Sequence, residues 1–412
     1  MLASRSETRG KIDEWGAPEV IRKVTIGERR ARLGRNHRLA AEARARSTTE
    51  VAESLVALHS TDPASVYLSV FARVLVPSVE EVGAALYDRR EVVRMLGMRR
   101  TMFVVPRELV PVVQAGATDA VAVRMRRLYE ALFQRGGVSP DPARWLREVG
   151  ESVVSLLQRA DELTAQELAA AEPRLRTRIM MNEGKSYGGS SNVTSMVLML
   201  LSADGRIVRG RPLGSWISSQ YRWSAMEQWL PGAPDRMSAD EARTALAGRW
   251  LRAFGPATEA DLRWWAGWTL RDTRAAIAGL DTIPVELDGA PGLLLAADAE
   301  PVEAPAPWVA LLPALDPTPM GWSGREWYVG SHAPALFDMT GNIGPTVWAD
   351  GRVIGGWAQR KDGSIAVRLL EDAGTAVATA VDQAAGALAA TTAGTRVTPR
   401  FRTPIQRELS GG

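Results

Sequence analysis

The chain has 412 residues, 46% of them hydrophobic and 24% charged, which gives each of two to four units enough apolar material for a core and argues against wholesale disorder. It has no cysteine and only three histidines, His37, His59 and His332, so disulfides, thiolate nucleophiles and cysteine metal sites are excluded and a zinc cluster is not expected. The net charge is +3, no run approaches ~20 consecutive apolar residues, and Met1–Glu7 lacks an apolar signal core, so the chain reads as cytoplasmic with no membrane partner.

Residues 1–25 mix Gly, Pro and charge without periodicity and read as a flexible leader. Between Arg22 and Arg46, nine basic residues, including Arg29, Arg32 and Arg44, face only Glu28 and Glu42. That run is either a solvated, partly disordered arm or a surface that attracts polyanions. Val51, Leu55, Val56 and Leu58 recur at helical spacing over residues 48–58, Pro63–Arg73 repeats the habit, and Ser78-Val79-Glu80-Glu81 opens a third short helix. Val92–Pro106 then turns β-rich and apolar, broken by Gly97 and the pair Arg99-Arg100. Three helices followed by a hairpin predict a winged helix.

The pattern recurs. Leu163–Leu168 starts a helix, Ser191–Ser202 forms a buried one, and Asp204–Arg211 opens a second basic wing. Ser238–Phe254 is helical, Gly255-Pro256 breaks it, and a helix from Thr258 carries Trp264, Trp265 and Trp268 before a last one at Asp272–Leu280. At that spacing the tryptophans read as core rather than as base-stacking platforms. From Ile283 short β runs take over at Val285–Gly289, Val309–Pro313 and Gly351–Trp357. After Leu370 an alanine-rich helix runs to about Leu388, followed by a Thr/Arg segment with no evident chemistry. Lys185 lies in a stretch that lacks the full phosphate-loop spacing, so no nucleotide-triphosphate site is expected.

Leu58-His59-Ser60-Thr61-Asp62-Pro63 is the segment richest in chemistry. It puts a histidine at the end of a helix beside a hydroxyl and a carboxylate, where a neutral ring can orient or deprotonate a water. The structural alternative is a helix junction, with Thr61 or Asp62 as N-cap and Pro63 as first helical residue. Both readings are compatible.

Four segments together resemble a known family: Leu58–Arg73, Met98–Pro106, Phe254–Trp265, and Leu311–Pro317 with Asp350–Trp357. The chain is similar to the tandem winged-helix DNA-binding domain proteins that include bacterial alkylpurine and interstrand-crosslink DNA glycosylases of the azinomycin-resistance type. The resemblance implies an α+β fold of three tandem winged-helix units in a C-shaped arrangement around duplex DNA, the third with an enlarged β-rich part. The division would be a leader at 1–25, unit 1 at 26–160, unit 2 at 161–237, unit 3 at 238–370, and a C-terminal helix and tail at 371–412.

The same resemblance implies a monomeric, monofunctional glycosylase without cofactor that acts on cationic or bulky N7-alkylguanine in damaged duplex DNA. In the family a Gln-x-Gln or Gln-x-Asp motif positions the attacking water; here His59 and Thr61 occupy the two polar positions, with Asp62 beside them. An amide offers a donor and an acceptor that do not titrate, whereas a histidine offers both only when neutral. If His59 takes the water's proton, activity falls below its ordinary pKa of about 6.5. Expected DNA contacts are Arg73, Arg99, Arg100 and Thr101 in unit 1, Arg206, Arg209 and Arg211 on the second wing, and Arg325, with Asp316 as a turn residue or one that supports the contacting residues from behind. The competing class is a winged-helix DNA-binding or transcription-related protein without catalysis.

Overall fold

Side chains that accept backbone N–H groups fix most helix starts in the computed structural model, which describes residues 21–181, 189–232, 237–392, 394–399 and 402–411. After β1 (Arg22–Lys23), Thr25 caps α1 (Ile26–Asn36) and Ser47 caps α2 (Thr48–Ser54). The chain then forms β2 (Leu58–His59), and Asp62 caps α3 (Pro63–Phe71) with Pro63 at its first turn. Ser78 caps α4 (Val79–Gly83), which continues into a π-helical turn at Ala84–Asp88. A hairpin of β3 (Val92–Leu96) and β4 (Met102–Pro106) follows, and β2 joins it on the β4 edge in the order β2-β4-β3.

The middle of the chain is mostly helical: α5 (Val110–Val113), α6 (Asp119–Arg135) and α7 (Pro142–Ala160), then β5 (Leu163–Thr164) and α8 (Ala165–Ala171). A two-stranded ribbon, β6 (Arg178–Met181) with β7 (Gly189–Asn192), precedes α9 (Thr194–Ala203). The hairpin β8 (Ile207–Pro212) and β9 (Tyr221–Ala225) takes β5 as its third strand. Next come α10 (Met226–Trp229), α11 (Ala239–Phe254), α12 (Glu259–Ala266) and α13 (Leu270–Ala278).

In the last third, β10 (Thr282–Leu287) and β11 (Ala290–Leu295) form a hairpin onto which β1 adds in parallel. The strands β12 (Val309–Leu312), β13 (Thr346–Ala349), β14 (Arg352–Gln359) and β15 (Ile365–Leu369) form an antiparallel sheet. Between β12 and β13 lie α14 (Glu326–Val329) and α15 (Ala333–Leu336); α16 (Thr375–Thr392) and α17 (Pro404–Leu409) close the chain. The architecture is a mixed α+β fold. One core joins the N-terminal helices to the C-terminal sheet through Leu55, Tyr67, Trp250 and Trp348, and a second gathers Phe133, Leu157 and Leu198.

Several expectations change. Residues 21–25 are not loose leader, because β1 pairs with β10 and Thr25 caps α1. The basic run is not a solvated arm: Arg29 and Arg32 are buried, and Arg30 donates to the Trp327 carbonyl at 2.6 Å. Helix α2 ends at Ser54, so Leu58 and His59 are strand rather than helix end; pairing with β4 sinks Leu58 into the core, worth about 1.5–3 kcal/mol. Helix α17 was not foreseen, and Lys185 lies outside the described residues.

Candidate active site

Strand β2 sets the position of the histidine motif. Leu58 lies opposite Val104 and His59 opposite Phe103, and the Ser60 amide donates to the Met102 carbonyl at 2.8 Å. The chain then leaves the sheet, exposing Thr61, and Asp62 Oδ1 accepts from the Ala64 amide at 3.1 Å to start α3. Cap and strand together clamp a turn of very few residues, so His59, Thr61 and Asp62 have little freedom to drift apart.

His59 is 7% exposed, its ring meets Phe103 edge-on at 5.5 Å, and its Nδ1 is buried with no hydrogen-bond partner among the described residues. The Ser60 hydroxyl beside it is likewise buried and unpartnered. Burial, with the nearby Arg99 cation second, lowers the His59 pKa to about 3. The ring is therefore neutral across the physiological range. This corrects the expectation of an activity loss near pH 6.5, because the environment that holds His59 also removes its ordinary basicity.

Thr61 and Asp62 open onto a narrow cleft with Ala314, Asn342 and Pro399, with room for about one water molecule. On its other side Asp62 shares a second narrow pocket, with room for only one or two water molecules, with Ser65, Trp357, Arg396 and Arg402. Thr61 and Asp62 thus face the C-terminal sheet and tail, while His59 packs against Phe103 on the hairpin.

The hairpin turn Met98–Arg100 stands beside it. Arg99 and Arg100 both have positive φ, 54° and 60°, which is uncommon for residues with a side chain and marks a tightly folded tip. Arg99 is half-buried, stacks 4.0 Å from the Trp264 ring centroid, and lies so close to Gly267 that a Cβ there would sit 3.0 Å from its Cγ. Arg325 also rests on Trp264, at 4.9 Å. Burial and the neighbouring Arg325 cation lower the Arg99 pKa to about 10. Arg100 is exposed and donates to the Tyr129 hydroxyl at 3.1 Å, and Thr101 closes the tip by donating from its amide to Met98. The structure thus gathers Arg99 and Arg325 on Trp264, with the Arg99 cation near His59. Trp264 is half-buried as a platform for two guanidiniums, whereas Trp265 alone fits the core reading closely. Neither Trp264's role nor Phe103's contact was readable from spacing; for Phe103 the one available signal was its place in the apolar run of β4.

Arg73 is not a DNA contact. Its side chain is fully buried, and all five of its N–H donors meet acceptors: the His37 and Ser69 carbonyls, both Asp316 carboxylate oxygens and the Thr318 hydroxyl, at 2.6–3.0 Å. Asp316 is accordingly a buried counter-charge, and its Oδ1 also accepts from the Thr318 amide at 2.9 Å to hold the turn. On the second hairpin the arginines are engaged internally: Arg206 forms a fork with Glu151, Arg211 pairs with Asp88, and Arg209 is packed against the rings of Tyr221 and Trp223 at 5.5 and 5.2 Å. Arg209 is the least accessible of these for a phosphate.

Among the described residues, no three His, Asp or Glu are grouped to hold a metal ion, and no helix is long and apolar enough to cross a membrane. A comparison with curated proteins gives no match. Among solved structures, the DNA glycosylase AlkZ of Streptomyces sahachiroi is similar, with a TM-score of 0.71 at 21% identity over 92% of this chain and 99% of that one. At that identity the likeness speaks for the fold. Residues 52–391, which contain the histidine motif, the hairpin and the Asp316 turn, match the family described as DNA glycosylase AlkZ-like, and the chain belongs to that family.

Proposed function

We propose that the protein is a monofunctional DNA glycosylase that hydrolyses the N-glycosidic bond of cationic N7-alkylguanine in duplex DNA, with winged-helix units built from each helix group and its hairpin. Family membership supports the reaction class. The observation that carries the site is the unpartnered, neutral His59 ring fixed in β2 beside Thr61 and Asp62.

A cationic alkylguanine leaves with the electron pair of its bond to C1′ and becomes neutral, so the sugar passes through an oxocarbenium-like state. Such a reaction needs a placed water and nearby negative charge more than a strong base. In this reading His59 and Thr61 hold the water by hydrogen bonds, as the two amides do in the resemblance. The water oxygen bonds to C1′, its proton is released to solvent, and the Asp62 carboxylate stabilises the developing cation. Arg99 and Arg325 bind phosphates on either side of the lesion. No lysine stands in the motif, so no Schiff-base step follows. Crosslinks whose lesions are N7-alkylguanines fall within the same chemistry.

The second reading, a DNA-binding protein without catalysis, draws on one observation: the cleft beside Thr61 is about one water wide. Incubation with an N7-methylguanine duplex separates the two. Wild type should release free base and leave abasic sites, and His59→Ala should lose product by 100-fold or more, on the order of a lost water-positioning group, while still binding duplex. Undiminished duplex binding with no released base from any cationic lesion would establish the second reading.

A further inference from the structure

The family match ends at residue 391, yet the segment beyond it is anchored against the motif. Two attachments hold it. On one side the Val397 amide donates to Gln359 Oε1 at 2.8 Å, and Val397 is buried. On the other, Thr403, Ile405 and Gln406 are at most 2% exposed, and the surface beneath them is bared by glycines. A Cβ on Gly356 would come within 3.0 Å of Ile405, and one on Gly344 within 2.7 Å of Thr403. Between these anchors Pro399 lines the one-water cleft with Thr61 and Asp62, and Arg396 and Arg402 line the adjoining pocket with Asp62 and Ser65. The tail therefore supplies one wall of both spaces that the motif opens onto, although residues 394–411 looked chemically empty in the sequence.

The charges on that wall are of one kind. Arg396 is exposed and Arg402 half-buried, and among the described residues neither enters a salt bridge. The pocket itself admits only one or two waters, so the two guanidiniums at its solvent-facing rim suit a phosphate of a strand lying across it.

We propose that the C-terminal segment is a substrate-contacting wall, with Arg396 and Arg402 positioning the DNA strand by gripping a backbone phosphate beside the nucleotide presented to His59, Thr61 and Asp62. The assignment rests on the glycosylase reading for the identity of the nucleotide, but not for the contact itself. The altered motif inside the family match would then do the hydrolysis, while a segment outside that match sets how the DNA strand is seated.

The test uses the full chain carrying Arg396→Gln and Arg402→Gln together, which leaves the anchors Val397, Ile405 and Gln406 untouched. With an N7-methylguanine duplex, KM should rise about tenfold, the worth of one charge-assisted hydrogen bond, and kcat should stay within about twofold. In parallel, hydrogen exchange is followed with an undamaged duplex of the same length. Wild-type amides at 394–399 and 402–411 should gain protection when duplex binds, and the double variant should lose that gain. If wild type excises nothing, the glycosylase reading fails, but duplex-dependent protection of the tail still supports the contact. Two results overturn the proposal: no protection of the tail in wild type, or a variant that loses kcat at unchanged KM, which would mark the arginines as structural only.

Discussion

His37 and His59 are both buried, and burial lowers the pKa of each to about 3, but their surroundings differ. The His37 tautomer is fixed: Nε2–H donates to the Ala253 carbonyl at 3.0 Å, so Nδ1 accepts from the Thr318 hydroxyl at 2.8 Å. His59 has no such partner at Nδ1 and can present that atom to a water or a substrate group. Both folded-state pKa values lie below the ordinary 6.5, so the unfolded chain binds more protons between about pH 6.5 and 3. Stability contributed by the two neutral rings is fully present above about 6.5 and is lost as pH falls through that window, at about 1.4 kcal/mol per pH unit per ring. Urea midpoints measured from pH 7 to pH 4 should fall steadily in wild type, and the slope should be shallower in His59→Gln. An equal slope in both would mean that His59 is not buried as described. Excision, by contrast, should be flat between pH 8 and 5. Residue chemistry drew attention to His59 from the sequence, but its low basicity depends on Phe103 and Arg99, which only the register of β2 against β4 brings near.

At the scale of elements, the helix that begins with Asp62 has its far end secured by charge. Ser69 donates to Asp316 Oδ2 at 2.7 Å, Ser65 donates to the Ala314 carbonyl at 2.8 Å, and Arg73 completes the lattice. Removing one partner of such a pair leaves the other buried and uncompensated. Asp316→Ala should cost about 3–5 kcal/mol in denaturant unfolding; a loss below about 1 kcal/mol would contradict the fully buried pair. Helix boundaries were legible wherever a cap was: Thr164, Ser238 and Thr258 each form reciprocal caps with an acidic residue three positions on. Strand β2 was not legible, because two residues carry no alternation and take their conformation from the neighbouring strand. For α17 a signal was present in Pro404 at the first turn, with Gln406 accepting from the Thr403 amide at 3.2 Å.

For the whole molecule, the balance of 50 basic against 47 acidic residues leaves little long-range attraction, so DNA affinity should rest on a few placed cations. Most arginines are committed elsewhere, to carboxylates, carbonyls or rings. If Arg99 and Arg325 each neutralise a phosphate, the slope of log affinity against log salt should flatten by about 2 in the Arg99→Gln/Arg325→Gln variant. Duplex binding titrated at several sodium chloride concentrations checks this, and an unchanged slope would remove both residues from the interface. Composition and hydrophobic pattern made the α+β character and the helix-then-hairpin order readable in advance. The charge reading failed at Arg73 and along α1 because a sequence displays cations without their counter-charges.

The pairing of Arg73 with Asp316 spans 243 residues. A ribosome will have released the histidine motif, its cap and its hairpin long before the carboxylate that lets Arg73 be buried. Until then the turn after α3 carries a guanidinium that belongs in water, so that end of the helix cannot dock. The N-terminal third alone can thus make the motif but not the seat beneath it, and the site matures only when the last sheet arrives.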